Sequence, residues 1–155
     1  MKSNFQDLTI IIVTYKSDEI IFDFVKKIPK KINVIIVENS KNNQLKKKLE
    51  KKYKNIRVYL RNNEGVSSSL NFGVKKTKTK YLIHLSPDLE VNYNQIEIFF
   101  KYAKILNNNF CALGPRFLNT KKKGHKQINQ KLKIGKIDSI HGSFMFMNKK
   151  NFHFI

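Results

Sequence analysis

Cysteine and arginine are scarce in this sequence, and tryptophan is absent. Cys111 is the single cysteine, so an intramolecular disulfide is excluded and a reducing compartment is expected. It lies in the apolar run 110–113, where we predict a buried, inert thiol. No apolar run approaches the roughly 20 residues that span a bilayer, and the run 8–13 is too short for the core of a signal peptide. We therefore expect a cytoplasmic protein.

Acidic residues are also few. The chain has 31 Lys and Arg against 11 Asp and Glu, which gives a formal net charge of +20. Such a charge raises nucleic acid or an anionic membrane as a partner. Only Arg57, Arg61 and Arg116 are arginines, however, and lysine lacks the bidentate fork with which proteins read bases. We expect no specific nucleic acid, and a weak attraction to polyanionic sugars or to the inner face of an anionic membrane.

Hydrophobic residues make up 41% of the 155 residues, which is enough for the core of one domain. Short apolar, largely β-branched runs alternate with segments of helical periodicity. Because the runs lack polar alternation, they are typical of strands buried on both faces. The order predicts an α/β fold with a doubly wound, mostly parallel sheet. The predicted strands are 8–13, 34–37, 56–60 and 81–85, and the predicted helices are 18–28, 42–53 and 66–76.

The second half of the sequence is less regular. A further helix is predicted at 95–106, followed by strands at 110–117 and 140–147. Residues 119–136 are polar, rich in lysine and unpatterned, so we expect a mobile loop or an irregular hairpin there. The inward-facing side chains of the helix are predicted to be Ile98, Tyr102 and either Ile105 or Leu106.

Polar residues follow the predicted strands at their carboxyl ends. In open parallel sheets ligands bind beyond these ends, where the strand order reverses. Each residue also has a structural alternative, because 38–40 can cap the next helix and 86–88 can form an ordinary turn. Singly these residues favour the structural roles, whereas together they indicate a binding site. They are Thr14 and Tyr15 after the first strand, Glu38 and Asn39 after the second, Asn62 after the third and Asp88 after the fourth.

Five segments in order, 9–17, 34–40, 62–73, 81–90 and 142–152, resemble segments of family 2 glycosyltransferases. The first is similar to the opening strand and loop, and the second to a strand that ends in an acidic residue and Asn. The third carries Asn and Gly twice at the family spacing. The fourth, with its Ser-Pro-Asp sequence, is similar to the aspartate motif of rhamnosyltransferase-like members, and the fifth to the strand that leads toward the acceptor site.

This resemblance implies a GT-A (Rossmann-like) fold, with helices on both faces of a mostly parallel sheet, in one domain over 1–155. Residues of about 8–106 would form the nucleotide-binding part, and about 107–155 would begin the acceptor-side part. The implied function is inverting transfer of a sugar from a nucleotide-diphosphate sugar to a hydroxyl of a glycan or lipid-linked acceptor, in bacterial surface polysaccharide synthesis.

The resemblance also implies a nucleotide-sugar site. Thr14, through its backbone, and Tyr15, through ring contact, would hold the base and ribose. Glu38 would accept hydrogen bonds from them, a task for which a carboxylate is strong. Gly65 would allow close backbone approach at a helix N-terminus, and Asn71 would fix the loop or reach the nucleotide. The implied nucleotide-sugar-binding residues are Thr14, Tyr15, Glu38, Asn62, Gly65, Asn71 and Asp88.

Asp88 is the implied metal ligand, for a divalent Mg or Mn ion that bridges the diphosphate oxygens and stabilises the leaving group. The full family motif has two acidic residues with one residue between them, whereas Ser86 stands at the first position here. We therefore expect the cation to be held by Asp88, the diphosphate and water. Glu90 is close in sequence, and on an extended continuation its side chain shares the side of Asp88.

The general base is missing from the implied set. Inverting members of the family use a carboxylate from an acidic cluster that follows the segment resembling 142–152, and this group removes the proton of the acceptor hydroxyl. After Glu97 the only acidic residue is Asp138, which precedes that segment. We therefore expect an incomplete C-terminal part, with no catalytic residue identified. His141 can titrate near neutrality, but a structural or acceptor-contact role is favoured, and His84 within a predicted strand is expected to be structural.

Two other functions stay open. A catalytically silent nucleotide-binding module would act with a partner chain that supplies the acidic cluster. The apolar residues Phe152, Phe154 and Ile155 would offer a surface for such a partner or for self-association. A basic nucleic-acid-binding α/β domain is the third hypothesis, and it would show a steep dependence of binding on salt.

Overall fold

A six-stranded sheet forms the centre of the computed structural model, which describes residues 5–107, 109–115 and 140–152. The strands are β1 (Leu8–Thr14), β2 (Asn33–Glu38), β3 (Ile56–Leu60), β4 (Tyr81–Leu85), β5 (Ala112–Leu113) and β6 (Phe144–Asn148). The helices are α1 (Asp18–Lys26), α2 (Asn43–Lys52), α3 (Val66–Lys76), α4 (Tyr93–Leu106) and a short 3-10 helix (Lys149–Asn151). The order across the sheet is β3-β2-β1-β4-β6-β5.

The first four strands run parallel, as predicted. β6 pairs with β4 in the antiparallel sense, and β5 pairs with β6 in the same way. The chain moves outward from β1 to β2 and β3, then returns to the other side of β1 to form β4. The strand order therefore reverses between β1 and β4, which is the arrangement of a doubly wound sheet.

Helices α1, α2 and α4 cover one face of this sheet. Their apolar side chains pack on alternate residues of the strands, such as Ile10, Ile12 and Ile36, in one continuous core. The ring of Phe100 in α4 lies 5.0 Å from that of Phe5 and 5.7 Å from that of Tyr81, between ring centroids. Complete burial contributes roughly 1.5–3 kcal/mol per large apolar side chain, so this face supplies most of the stability of the domain.

Helix α3 covers the opposite face, over a smaller apolar cluster that contains Ile11, Leu70 and Val74. Gly73 lies on the inner side of the helix. A Cβ atom there would be 2.7 Å from Cγ2 of Ile11 and 3.5 Å from Cγ2 of Val37. Gly73 therefore allows α3 to approach β1 and β2 closely, and helices lie on both faces of the sheet as predicted.

Several element boundaries differ from the predictions for local reasons. Helix α1 ends at Lys26 rather than 28, because Pro29 disfavours the helical conformation of the residue before it. Helix α4 begins at Tyr93 rather than 95, after a capping box in which Asn92 and Gln95 bond each other's backbone amides. Strand β6 begins at Phe144 rather than 140, because residues 141–143 form a turn in which the amide of Phe144 bonds the carbonyl of His141.

The predicted orientation of α4 is wrong. Ile98 is 49% exposed and Ile105 is 74% exposed, and neither faces the core. The buried positions are Ile96, Phe100 and Ala103, a second stripe at helical spacing that carries an aromatic ring. Tyr102 and Leu106 are half-buried at its margins. The phenylalanine side chain has more apolar surface to bury, so it determines which side of the helix meets the sheet.

The expectation of a buried thiol is also wrong. Cys111 is exposed, and its Sγ donates a hydrogen bond of 3.2 Å to the carbonyl of Asn151. It precedes β5, which is the outermost described strand of the sheet, so none of the described strands covers it. The predicted loop 119–136, the end of the predicted strand 110–117, and Asp138, Phe154 and Ile155 lie outside the described residues. None of the described helices combines the length and apolar character that a membrane span needs.

Candidate active site

The carboxyl ends of β1–β4 meet at one edge of the sheet, here called the carboxyl rim. Hydrogen bonds of 2.9 Å continue the sheet just past the strand ends, from the amide of Asn39 to the carbonyl of Thr14 and from the amide of Arg61 to the carbonyl of Glu38. The predicted polar residues after each strand therefore lie along this rim. It includes the reversal of strand order between β1 and β4, where open α/β sheets bind ligands.

Thr14 and Tyr15 present two different groups at the end of β1. Thr14 is buried, and its Oγ1 has no hydrogen-bond partner among the described residues. Its carbonyl accepts from the amide of Asn39, and the second acceptor position of this oxygen is compatible with the backbone contact that the sequence suggested. A buried hydroxyl without a partner costs about 1–3 kcal/mol, which a ligand can recover. The Tyr15 side chain is 49% exposed.

Glu38 lies opposite Thr14 in the register of β1 and β2 and is completely buried. Its Oε1 accepts from the amide and hydroxyl of Ser40, at 3.0 and 2.5 Å, and its Oε2 accepts from the amide of Asn42 at 2.7 Å. The carboxylate therefore holds the β2–α2 loop, as the structural alternative predicted. An ionised carboxylate offers about four acceptor positions, so a ligand contact at Oε2 is compatible with these bonds.

A cleft of about 350 Å³ lies between the β1–α1 and β2–α2 loops, lined by residues 16–20, Ser40 and Asn42. Nδ2 of Asn42 donates a hydrogen bond of 2.6 Å to Oδ2 of Asp18 and so joins the two loops. Lys16 and Lys41 have positive φ angles of 50° and 57°. Such backbone costs about 1–3 kcal/mol per residue and is concentrated at functional sites. The strain indicates that the fold holds both loops in fixed positions.

The β3–α3 turn contains two predicted site residues. Asn62 is exposed, and Gly65 precedes the first residue of α3 with φ of 88°, a conformation that favours glycine. The amide of Gly65 bonds Oδ1 of Asn63 at 3.2 Å. A Cβ at Gly65 would meet no described atom within 4 Å, so the residue leaves open space at the helix N-terminus.

Arg61 is a rim residue that the sequence analysis missed. Its guanidinium donates to Oε2 of Glu64 at 2.7 Å and to the carbonyl of Ser68 at 3.2 Å, and it lies 4.7 Å from the ring centroid of Phe72. These contacts hold the positively charged guanidinium of Arg61 in one orientation beside a cleft of about 380 Å³. Residues that line this cleft are Arg61, Ser68, Asn71, Phe72 and Lys75.

The predicted site residue Asn71 belongs to that second cleft. Asn71 lies on α3, which covers the face of the sheet opposite to α1. The side chains of Thr14 and Glu38 extend the rows of Ile12 and Ile36, which belong to the core on the α1 face. The structure therefore brings Thr14 and Glu38 together, with Tyr15 exposed next to Thr14 in the chain, and it places Asn71 with Arg61 on the other side of the rim.

Asp88 lies in the turn that follows β4 and is exposed. The amide of Leu89 bonds the carbonyl of Ser86 at 3.2 Å, and the amide of Ser86 bonds the carbonyl of Ser143 at 2.9 Å. This second bond places the turn before β6 beside the Asp88 turn. Nδ1 of His141 lies 2.6 Å from Oγ of Ser143, so an exposed imidazole stands in the segment next to the candidate metal ligand.

The oxygen ligand that Asp88 offers fits a metal cation that a bound diphosphate also helps to hold. No group of three or more His, Cys, Asp or Glu side chains in the described part of the chain is arranged to bind a metal. A hard divalent cation takes about six oxygen ligands, so one exposed carboxylate leaves most positions to diphosphate and water oxygens. This agrees with the Ser86 departure in the sequence motif.

His84 has a structural role, as predicted. It is buried within β4, and its Nδ1 lies 3.2 Å from the carbonyl of Ile11. Desolvation by burial lowers the pKa of His84 below its usual value, and the bond to Ile11 opposes this in part. The imidazole is therefore neutral at neutral pH, and it joins two strands of the sheet.

The fold and the rim define a doubly wound α/β domain with a polar site at the reversal of strand order. The family model "Glycosyl transferase family 2" matches residues 9–153. The chain therefore belongs to glycosyltransferase family 2, and the resemblance found in the sequence is confirmed. A curated relative, the low-salt glycan biosynthesis hexosyltransferase Agl10 of Haloferax volcanii, is 29% identical over 118 residues, which are 73% of this chain and 37% of that protein.

Solved structures show the same fold. S. aureus TarS 1-349 matches with a TM-score of 0.70 at 15% identity, over 93% of this chain and 47% of that chain. The same protein in complex with UDP-GlcNAc matches with a TM-score of 0.60 at 17% identity, over 79% of this chain and 37% of that chain. The chain thus spans less than half the length of these relatives, and the predicted GT-A-type sheet is confirmed.

Proposed function

We propose that the carboxyl rim binds a nucleotide-diphosphate sugar, and that the chain serves inverting transfer of the sugar to a hydroxyl of a glycan or lipid-linked acceptor. The observation that carries the proposal is the buried Oγ1 of Thr14, which has no hydrogen-bond partner in the described part of the chain. It lies opposite Glu38 and next to the exposed Tyr15, in a family 2 domain. Structural neighbours described as complexes with UDP-GlcNAc and with UDP support this ligand class.

The nucleoside end of the donor is proposed to lie over β1 and β2. Tyr15 offers its ring to the base, since an exposed aromatic face can stack on any base. The hydroxyl of Thr14 and Oε2 of Glu38 are offered to the polar groups of the base or ribose. Because Glu38 is fixed by the amides of its own loop, its carboxylate is oriented before a ligand arrives, which reduces the entropic cost of binding.

The diphosphate is proposed to extend from β1 toward β4, where Asp88 is exposed at the rim. A bound Mg or Mn ion would neutralise the charge that develops on the departing diphosphate. Asp88 would hold this ion together with diphosphate and water oxygens. Asn62 and Gly65, in the turn after β3, are proposed to contact the nucleoside end of the donor, which lies over the neighbouring β2.

In the reaction, the acceptor oxygen forms a bond to the anomeric carbon while the bond from that carbon to the diphosphate oxygen breaks. The acceptor proton must pass to a base. After Glu97 the sequence contains one acidic residue, Asp138, which lies outside the described residues. A second candidate function, which we propose beside the first, is a nucleotide-sugar-binding module whose base comes from a partner chain.

We propose a cytoplasmic role in bacterial surface polysaccharide synthesis, and the description of Agl10 as a glycan biosynthesis hexosyltransferase supports the glycan part of this proposal. The proposed donor binding is tested by calorimetric titration of the chain with UDP- and dTDP-sugars, with and without Mg or Mn. The Asp88→Asn variant is expected to lose the gain in affinity that the metal gives, because an amide is a weaker cation ligand than a carboxylate.

Glu90→Gln is the matched control, because it removes a neighbouring exposed carboxylate and should keep most of the metal effect. The nucleotide-sugar-binding module would be favoured if the chain alone binds the sugars without transferring them. Transfer should then begin when a second polypeptide is added. Failure of the wild-type chain to bind any nucleotide or nucleotide sugar would overturn both candidate functions.

A further inference from the structure

The edge of the sheet opposite the carboxyl rim is rich in lysine. We call it the basal edge, because β1–β4 begin there. Segments 26–31, 51–54 and 75–80 precede β2, β3 and β4, and each contains the end of a helix and the loop that follows. All lysines in these segments are exposed, and the segments contain no Asp or Glu. We call these side chains the basal lysines.

Backbone contacts confirm that these loops share one edge. The amide of Tyr81 bonds the carbonyl of Asp7 at 2.9 Å, and the amide of Lys149 bonds the carbonyl of Lys80 at 3.0 Å. Because β6 is antiparallel to β4, Lys149 and Lys150 follow its end at the same edge. The basal lysines, with Lys149 and Lys150, therefore form a row from β3 to β6. These are five neighbouring strands, which span about 20 Å at the usual strand spacing.

Of the ten acidic residues that the structure describes, six lie at the other edge, and Asp7, which precedes β1, lies at the basal edge. The carboxyl rim and its loops also have three basic residues, Lys16, Lys41 and Arg61, so the two signs are mixed there. The domain is thus polarised along its strands, with a strongly basic basal edge and a rim of mixed charge. The acidic residues of the rim are Asp18, Glu19, Glu38, Glu64, Asp88 and Glu90.

Helix macrodipoles account for only part of the basal lysines. A lysine in the last turn of a helix is favourable because the carboxyl end carries a partial negative charge. Lys30, Lys54 and Lys78, however, come after the helices have ended. Like charges along one row repel each other, so these additional lysines are better explained by an anionic partner than by the stability of the fold.

We propose that the basal edge docks on an anionic membrane surface, that is, on a bilayer that contains acidic phospholipid. The basal segments contain lysine and no arginine, which suits diffuse attraction to many phosphates and not bidentate recognition of a base. Except for Lys75, which also lines the cleft beside Arg61, the lysines are spread in a row along the sheet edge, so a broad surface can meet most of them together. The contributions of basic residues near the membrane surface to the free energy of binding are roughly additive.

Docking in this orientation has a consequence for the candidate site. The parallel strands have five to seven residues, which is about 20 Å from the basal edge to the carboxyl rim. The rim would then face away from the headgroups. This orientation suits an acceptor whose reactive hydroxyl stands well above the bilayer, at the distal end of a glycan. The docking itself does not depend on the proposed transfer reaction.

The test is co-sedimentation of the chain with vesicles of phosphatidylcholine, with or without about 25% phosphatidylglycerol. The edge variant carries Lys30→Glu, Lys54→Glu and Lys78→Glu, one change in each basal segment. The control variant carries Lys46→Glu, Lys47→Glu and Lys48→Glu, within the first six residues of α2, which begins at the rim. The two variants have the same net charge, so a difference between them reports position.

We expect the wild-type chain to bind only the vesicles with phosphatidylglycerol and to lose this binding as salt is raised from about 0.1 M to about 0.5 M. The edge variant should bind at least tenfold more weakly, and the control variant less than threefold, at about 0.1 M salt. Circular dichroism spectra check that both variants fold.

Equal losses in the two variants would overturn the proposal, because they would show that net charge and not the basal edge is responsible. Absence of wild-type binding to anionic vesicles would also overturn it. Single-stranded RNA of random sequence serves as a competing partner. RNA binding that is lost in the edge variant, while vesicle binding persists, would assign the edge to nucleic acid instead.

Discussion

Oγ of Ser69 donates a hydrogen bond of 2.9 Å to Oδ1 of Asn39, and both residues are buried. Ser69 belongs to α3, and Asn39 follows the last residue of β2. The amide of Asn39 also bonds the carbonyl of Thr14, whose hydroxyl has no partner among the residues that the structure describes. Asn39 therefore ties the end of β1 and the helix on the opposite face to the same point of the carboxyl rim.

We predict that Ser69→Ala lowers the free energy of unfolding by about 1–3 kcal/mol, because Oδ1 of Asn39 is left buried without its donor. Urea denaturation measures the change. Ser67→Ala is the control, since Ser67 is exposed in the same helix and its change should lie within about 0.5 kcal/mol. Similar effects of the two substitutions would contradict the role assigned to this bond.

We predict that Glu38→Gln also destabilises the domain, by about 1–3 kcal/mol. The amide of glutamine replaces one acceptor oxygen by a donor, so it cannot accept from both Ser40 and Asn42 as the carboxylate does. Thermal or urea unfolding measures the loss. Glu19→Gln, at an exposed position of α1, should change stability much less. A stable Glu38→Gln variant that loses only donor binding would show that Glu38 acts on the ligand and not on its loop.

The strands of the parallel sheet could be predicted from the sequence because their signal is local. A run such as 34–37 has no polar alternation, which indicates burial on both faces. The order of helices and strands then limits the topology to a few doubly wound arrangements. Helix α4 shows the limit of this reasoning: Ile98 and Phe100 both belong to stripes of helical spacing, and the sheet surface decides which of them is buried.

The site was predicted only in part for similar reasons. Position after a strand was enough to place Thr14 and Glu38 at the carboxyl rim, but the lack of a described partner for the Thr14 hydroxyl depends on which amides the loops bring near it. Arg61 follows β3 directly, yet its partner Phe72 lies eleven positions away on α3. No spacing rule within one element connects such a pair, so its orientation becomes visible only when strand and helix pack.

We predict that Gly73→Ala destabilises the domain by about 1–3 kcal/mol, although alanine is the better helix former. Its Cβ would lie 2.7 Å from Cγ2 of Ile11, so α3 or β1 must shift. Gly142→Ala is the matched control, because a Cβ there meets no described atom within 4 Å. Denaturant midpoints at constant slope measure both changes. An unchanged or raised stability of Gly73→Ala would show that α3 packs less closely than described.

The last prediction concerns pH. Burial lowers the pKa of His84 in the folded protein, whereas an unfolded histidine titrates near 6.5. Between these values the unfolded chain binds more protons than the folded chain. The free energy of unfolding is therefore expected to be highest above pH 6.5, and to fall as pH decreases from about 6.5 toward the lowered pKa of the folded state.

Urea denaturation at pH values from about 7.5 to about 5 measures this slope, above the range where most carboxylates titrate. His84→Gln keeps an amide group for the carbonyl of Ile11 but does not titrate, so it should lose most of the slope between about pH 6.5 and 5. His141→Gln removes an exposed imidazole and should keep the wild-type slope. If the His84→Gln variant shows the same dependence on pH as the wild type, other groups cause the acid sensitivity. The imidazole of His84 would then be less isolated from water than its burial in β4, beside β1, indicates.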